Sequence, residues 1–335
     1  MKVYRSLEES PPAKHPVVAT IGNFDGVHLG HQTVIAEVIA RARFLGGVSL
    51  AITFDPHPAC VLRPDSPFPL ITPLARKLEL LAATGIDATL VLPFTEQLCQ
   101  KTAREFAAEV LVNAIHVTEV HEGENFRFGH NAESGIEGLE ALGRELGFRV
   151  TAYSPLSLRG APVSSSRIRR LIAEEAFSKD NQLAHARALL GRPFSVDSTP
   201  APGRGYGTRY AVPTINLAPY AELLPAHGVY ITTLTIGIGH DTATMGETFE
   251  AVTNVGNRPT FGADSFAVES HLLNFHEVDL TEQTPLRLTF LKRLRAEQRF
   301  ASTEALRDQI ARDVTRARRY FALCRALGFT STTEG

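Results

Sequence analysis

A chain of 335 residues is longer than one hydrophobic core usually organises and suits two domains. Hydrophobic residues make up 44% and charged residues 21%, the composition of a folded globular protein rather than a disordered one. Lys+Arg 34 against Asp+Glu 36 gives a net charge of −2, which argues against a nucleic-acid coat or a membrane-surface binder and leaves room for a local anion site. The three cysteines, Cys60, Cys99 and Cys324, stand far apart and form neither a disulfide framework nor a CxxC metal site, which fits a reducing compartment. The opening MKVYRSLEESPPAKH lacks the apolar centre of a signal peptide, and no apolar run reaches the length of a membrane span. A cytoplasmic protein is expected.

The first half alternates strand and helix patterns. VVATIG (17–22) reads as a short buried strand. Residues 30–43 place Val34, Ile35, Val38 and Ile39 on one helical face. GVSLAITF (47–54) is a second strand, followed after Pro73 by a helix with Leu74, Leu78 and Leu81 on one side. DATLVLPF (87–94) is a third strand, and TAREFAAEVLVN (102–113) a helix opened by a capping box of Thr102 and Glu105. IHVTEVHEG (115–123) and FRVTAYSP (148–155) are the fourth and fifth strands, with the glycine-containing helix AESGIEGLEALGREL between them. Such alternation implies a doubly wound parallel sheet of the Rossmann-like type, with helices on both faces and ligands at the carboxyl ends of the strands.

The pattern changes near residue 190. GRPFSVDSTPAPGRGYG is rich in Gly and Pro, and four β-prone runs follow at 227–237, 248–256, 266–275 and 285–295. Short strands without intervening helices suggest an antiparallel β-barrel or sandwich. The chain closes with a long helix, STEALRDQIARDVTRARRYFALCRAL, whose arginines are expected to be solvated. The expected division is residues 1–185 and 186–335.

Two stretches carry chemistry. In GNFDGVHLGH, Gly22 and Gly26 allow a tight turn and close approach to a ligand. The helix start behind them is a ready anion site, and His28 and His31, three apart, project from one side of it with Gly30 between them. The bland alternative is a pair of surface histidines capping a helix; a zinc site lacks further ligands at suitable spacing. In VSSSRIRRLI (163–172), Ser164, Ser165 and Ser166 can cap a helix, and Arg167, Arg169 and Arg170 can bring donors to a phosphate. Alone, this would be an ordinary capped amphipathic helix. Together the two stretches make a cradle for a triphosphate.

HxGH after the first strand and SSSRIR after the fifth resemble the HIGH-type nucleotidyltransferase superfamily. The wider text IGNFDGVHLGH, TFDPHP (53–58), EGENFRFG (122–129) and SSSRIR resembles the prokaryotic bifunctional riboflavin kinase/FAD synthetase. PTIN (213–216), NVGNRPTF (254–261), VESHLLNF (268–275) and LRAEQRF (294–300) resemble its kinase module, so the resemblance spans nearly the whole chain in the family's order. It implies ATP, riboflavin and FMN as substrates and Mg²⁺ as cofactor. For adenylyl transfer it implies Gly22, Asn23, Phe24, Gly26, Ser165, Ser166 and Arg169 on ATP, with His28, His31 and Arg169 catalytic. Asp55, Pro56, His57 and Pro58, with Asn125, Phe126 and Phe128, would line the flavin pocket; at least one of the two Phe residues is expected in the core instead. For the kinase it implies Gly203, Gly205 and Gly207 on ATP, Thr214 and Asn216 on nucleotide and metal, and Glu269 as general base. Without the resemblance PTIN would be a turn and Glu269 an exposed strand residue.

Some positions depart from the family pattern. GTRYAV (207–212) displaces an arginine to Arg209 and puts Ala211 at a glycine, Asn274 and Asn125 replace aspartates, and Ser166 often is Thr. These leave two further readings open: an adenylyltransferase whose β domain only binds flavin, and a flavin- or nucleotide-binding regulator without turnover. No nucleic-acid or membrane partner is expected, and a monomer or weak homo-oligomer is.

Overall fold

The computed structural model describes residues 1–9, 14–173, 182–201, 214–237, 246–257, 266–276, 278 and 280–328. Two compact units divide between Ser165 and Ser166.

The first unit contains, in order, β1 (Lys2–Tyr4), β2 (Val17–Ile21), α1 (Leu29–Leu45), β3 (Val48–Asp55), α2 (Pro58–Leu62), α3 (Leu74–Ala83), β4 (Ala88–Pro93), α4 (Glu96–Gln100), α5 (Ala103–Phe106), β5 (Val117–Gly123), α6 (Ile136–Leu146), β6 (Arg149–Tyr153) and the short pair β7 (Ser157–Leu158) and β8 (Ala161–Pro162). The main sheet is parallel, in the order β1-β4-β3-β2-β5-β6. All five residues of β2 are buried, as a central strand covered on both faces requires. The chain winds outward through β3 and β4 on one side of β2 and through β5 and β6 on the other, so the topological switch point lies between β2 and β5.

Most expected elements are present, with ends shifted by a residue or two. The strand β1 was not foreseen: three residues at the edge of a sheet carry no periodicity. The capping box forms as read, with Thr102 Oγ1 accepting from Glu105 N at 3.2 Å and Glu105 Oε2 accepting from Thr102 N at 2.8 Å. Beyond Phe106 the helix widens into π-type turns over Ala107–Ala114. Helix α6 starts only at Ile136; of AESG, Ala132 ends a short 3₁₀ turn and Ser134 pairs with Phe128 instead. Helix α1 buries Ala42 with Ile35, Val38 and Ile39, while Val34 is half-buried. Helix α3 departs most: it buries Arg76, Lys77, Leu80 and Leu81 rather than Leu74 and Leu78.

Helix α7 (Ser165–Ala173) crosses the division between the units. The second unit then contains α8 (Gln182–Leu190), β9 (Phe194–Ser198), β10 (Thr214–Asn216), β11 (Gly228–Ile236), β12 (Glu247–Asn257), β13 (Phe266–Leu272), β14 (Leu286–Arg295) and α9 (Thr303–Ala326). Its antiparallel sheet runs β10-β13-β12-β11-β14-β9. Just beyond β9, Ala201 N donates to Asn216 O and Ala218 N to Thr199 O, both at 2.8 Å, and this brings the two edges together as a barrel requires. Thr214–Asn216 of PTIN is therefore an edge strand rather than a turn. Helix α9 is capped by Ser302, whose Oγ accepts from Ala305 N at 3.2 Å. Its Ala317 and Phe321 are buried against Val229, Ile231, Val252 and Leu294 on the outer face of the sheet, while Arg312, Arg316, Arg318, Arg319 and Arg325 are exposed.

Candidate functional site

The turn that follows β2 is built at the switch point. Phe24, Gly26 and Val27 have φ of 46°, 86° and 38°, so three of four consecutive residues are left-handed. Glycine accepts this freely; Phe24 and Val27 do not, and both are held by burial. Asp25, also buried, accepts from Ile71 N at 3.2 Å and Thr72 N at 3.0 Å, and Gly26 N donates to Thr72 Oγ1 at 2.9 Å. Ser165 Oγ donates to Asp25 O at 2.8 Å. The structure thus brings the serine segment and the glycine turn together at Ser165. Ser166 is exposed and Arg169 half-buried farther along α7, within the second compact unit.

His28 is the N-cap of α1, its Nδ1 accepting from His31 N at 3.3 Å. The two rings stack with centroids 3.6 Å apart and planes 15° from parallel, and the edge of Phe24 meets His31 at 5.2 Å. A Cβ on Gly30 would lie 3.2 Å from the His28 ring, so glycine here makes room for the stack. His31 Nδ1 is sealed from solvent and has no hydrogen-bond partner. Burial first, and then the neighbouring His28 and Lys77, push the His31 pKa well below 6.5. His31 is therefore neutral at neutral pH.

A histidine with a depressed folded pKa takes up its proton on unfolding. The unfolded chain then binds more protons than the native one below pH 6.5, so stability falls as pH drops through that window. Against His31→Gln, native protein should lose up to about 1.4 kcal/mol of relative stability per pH unit below that point. Urea unfolding at pH 7.5 and pH 5.5 measures it; an unchanged difference would show that His31 is not buried neutral.

Lys77 was not foreseen as a site residue. It is buried, and its Nζ donates to Asn23 O at 3.1 Å and Thr53 Oγ1 at 3.2 Å. It therefore ties the glycine turn to the end of β3. Burial lowers its pKa, opposed by Asp25 and Asp55. The signal was its position: Lys77 lies three residues after Leu74 and four before Leu81, inside the apolar stripe. Lys77→Met removes the donor from the buried Thr53 Oγ1 and from the carbonyls of Asn23 and Phe54, so unfolding of the first unit should be easier by about 1–3 kcal/mol, read by denaturant titration.

At the proposed flavin end, Asp55 and Pro56 are exposed at the end of β3. His57 is buried; its Nδ1 accepts from Ala59 N at 3.1 Å, capping α2, whose first residue is Pro58, and its ring stacks on Phe68 at 4.8 Å. Asn125 is exposed beyond β5. Phe126 is half-buried and stacks on Phe128 at 5.3 Å; Phe128 is buried and meets Phe106 at 6.2 Å. Phe128 belongs to the core, as expected of one of the pair.

In the second unit Asn216 stands directly opposite Glu269, which stands opposite Asn254, while Thr214 faces His271. Directly paired residues of an antiparallel sheet project to the same side, so Thr214, Asn216, Glu269 and Asn254 share one face. Asn254 had no assigned role, although as a polar residue two positions from Val252 it breaks the apolar alternation of β12. A Cβ on Gly256 would lie 2.5 Å from Glu297 Oε1, so the carboxylate of Glu297 rests over that glycine on the same face. A hydroxyl, amide oxygens and carboxylates are hard donors that fit Mg²⁺. Asn274 Oδ1 accepts from Glu250 N at 2.9 Å, a structural bond. Gly203, Gly205 and Gly207, with Arg209 and Ala211, lie outside the described residues. No cluster of three His, Cys, Asp or Glu able to hold a metal occurs among the described residues, and none of their helices is long and apolar enough to cross a membrane.

The FAD synthetase family model matches residues 10–167, and the riboflavin kinase family model matches residues 190–321. A bifunctional riboflavin kinase/FMN adenylyltransferase of Pseudomonas fluorescens is 35% identical over 319 residues, covering 95% of this chain and 97% of its own. The protein of the same description from Escherichia coli K12 is 32% identical over 324 residues, covering 96% and 99%. A crystal structure described as a macrolide-efflux protein from Streptococcus pneumoniae shares the fold with a TM-score of 0.81, at 25% identity, over 94% of this chain and 98% of that one. With both modules matched in order and relatives above 30% identity covering nearly the full length, this chain belongs to the family of bifunctional riboflavin kinase/FMN adenylyltransferases.

Proposed function

We propose that this chain makes FAD in two steps, phosphorylating riboflavin with ATP through residues 186–335 and transferring AMP from ATP to the resulting FMN through residues 1–185. The observation that carries the reading is the stacked His28–His31 pair at the start of α1, set behind a strained turn at the switch point.

In adenylyl transfer a phosphate oxygen of FMN attacks the α-phosphorus of ATP. The new P–O bond forms as the bond to pyrophosphate breaks, and no covalent enzyme intermediate is needed. The protein's work is placement and charge stabilisation. His28 Nδ1 accepts from the His31 backbone N–H, which leaves Nε2 as the ring's donor, and in this reading Nε2 donates to phosphate oxygen. His31, neutral and with Nδ1 unpartnered, adds a second ring for the same purpose. The backbone N–H groups at the start of α1 and the turn at Gly22, Asn23, Phe24 and Gly26 receive the triphosphate, with Ser165, Ser166 and Arg169 as further donors. Asp55, Pro56, His57, Pro58, Asn125 and Phe126 receive the flavin, with Phe128 behind them as packing.

In the kinase step Glu269 accepts the proton of the terminal ribityl hydroxyl as that oxygen attacks the γ-phosphorus and ADP leaves. Asn216, directly across the sheet from it, and Thr214 hold the nucleotide phosphates and would hold Mg²⁺. Mg²⁺, when bound, neutralises charge on the phosphate oxygens. The glycines Gly203, Gly205 and Gly207 belong to the same ATP site in this reading. We place the reactions in the cytoplasm, in a monomer or weak homo-oligomer without nucleic-acid or membrane partners.

Purified protein incubated with ATP, Mg²⁺ and riboflavin, followed by chromatography, tests the proposal. FMN and FAD should both appear. FAD from FMN but not from riboflavin would leave the β domain as a flavin binder, and no product from either flavin would refute both enzymatic steps.

A further inference from the structure

The ladder between β2 and β5 stops early. Its last pair is Ala19 with Val120, although β2 continues to Ile21, still paired with Ile52 of β3, and β5 continues to Gly123, still paired with Tyr153 of β6. In the gap stands Glu122. Its Oε1 accepts from the backbone N–H of Ile21 in a short bond and from Thr20 Oγ1 at 3.2 Å. Glu122 is 4% exposed and shares the face of Val120, which belongs to the apolar core. A side chain thus occupies the place of a main-chain acceptor at the switch point, where the two halves of the sheet part.

What lies on either side gives the position its meaning. Ile21 leads directly into Gly22 and the nucleotide turn. Gly123 follows Glu122 and opens a tight turn in which Phe126 N donates to Gly123 O at 2.9 Å, the start of the proposed flavin segment. One side chain therefore joins the strand that delivers the ATP turn to the strand that delivers the flavin loop.

We propose that Glu122 is a positioning residue for adenylyl transfer: inserted between the ends of β2 and β5, its side chain fixes the separation between the nucleotide turn and the flavin segment. The inference rests on the assignment of those two segments to ATP and FMN. The carboxyl needs its acceptor oxygen, not its charge. Burial pushes its pKa well above 4.5, against the opposing bonds from Ile21 and Thr20, which favours the neutral acid. Glutamine has the shape and the hydrogen-bonding capacity of that neutral acid, whereas leucine fills the space and leaves Ile21 N–H without an acceptor.

Reacting atoms held an ångström out of line lose rate rather than affinity. In the full-length protein, Glu122→Leu should lower kcat for FMN adenylylation at least tenfold with KM for ATP changed less than threefold. Glu122→Gln should stay within twofold of native on both. Riboflavin phosphorylation by the same preparations should be unchanged in both variants, which serves as the internal control. All rates are taken well below the melting temperature, where lower stability alone leaves kcat per folded molecule intact. Native kcat in folded Glu122→Leu would overturn the proposal, and so would Glu122→Gln as impaired as Glu122→Leu, because that would assign the role to charge. If Glu122→Leu does not fold, Glu122→Asp, which withdraws the carboxyl by one methylene, should show the same loss of kcat; native kcat there counts against the proposal. Failure of the native protein to convert FMN to FAD would instead refute the underlying reading.

Discussion

Replacing His28 with alanine should lower kcat for FMN adenylylation by about 10²–10³, the loss that follows removal of one preorganised donor to developing phosphate charge. Three effects converge at this position. The variant removes the Nε2 donor. It removes the N-cap of α1, which costs about 1 kcal/mol of helix stability. It also removes the ring against which His31 stacks at 3.6 Å, so His31 loses its orientation. Asparagine restores the cap but not the stacked ring, so His28→Asn should recover stability without recovering rate. Riboflavin phosphorylation should remain native in both variants. FMN and FAD resolved by chromatography from single incubations report both activities at once. Equal loss of the two activities in folded protein would contradict the division of labour.

The reciprocal experiment is Glu269→Ala. FMN formation from riboflavin should fall by about 10²–10⁴, the usual range for a positioned general base, while supplied FMN is still converted to FAD. The side chain sits in the register Asn216–Glu269–Asn254, half-buried on a strand with paired neighbours on both sides. Its removal opens no core cavity, so thermal stability should move little, and a loss of rate is then chemical. Glu269→Gln, which keeps size and hydrogen bonding but cannot take a proton, should be as inactive as the alanine variant. A glutamine variant with native rate would reduce Glu269 to a binding role.

The parallel sheet, the barrel and the terminal helix were legible because each announces itself in one dimension. The run Val17–Ile21 is apolar but for Thr20, the capping box is a local bond between Thr102 and Glu105, and the second half alternates in short runs. The strand end, glycine turn and helix start around HxGH were legible because they are contiguous. β1 and β10 were not, since three-residue edge strands are defined by their partners, Ala88–Leu90 and Glu269–His271, and not by their own pattern. Helix α3 was misread because apolar periodicity assigns a lysine to solvent, whereas Lys77 is turned inward by three acceptors, including Phe54 O at 3.4 Å, far away in sequence.

By itself the sequence determined the two fold classes and the family resemblance, since these depend on local periodicity, capping and contiguous motifs. Only the tertiary structure decided that Ser165 closes on the carbonyl of Asp25, that His28 and His31 stack, that Lys77 holds the glycine turn and that Glu122 stands in the β2–β5 ladder. Each of those bonds joins residues from different elements or depends on the burial that packing creates. A buried acceptor selects its donor by proximity in space, and proximity across a sheet is set by strand order, which no local pattern encodes.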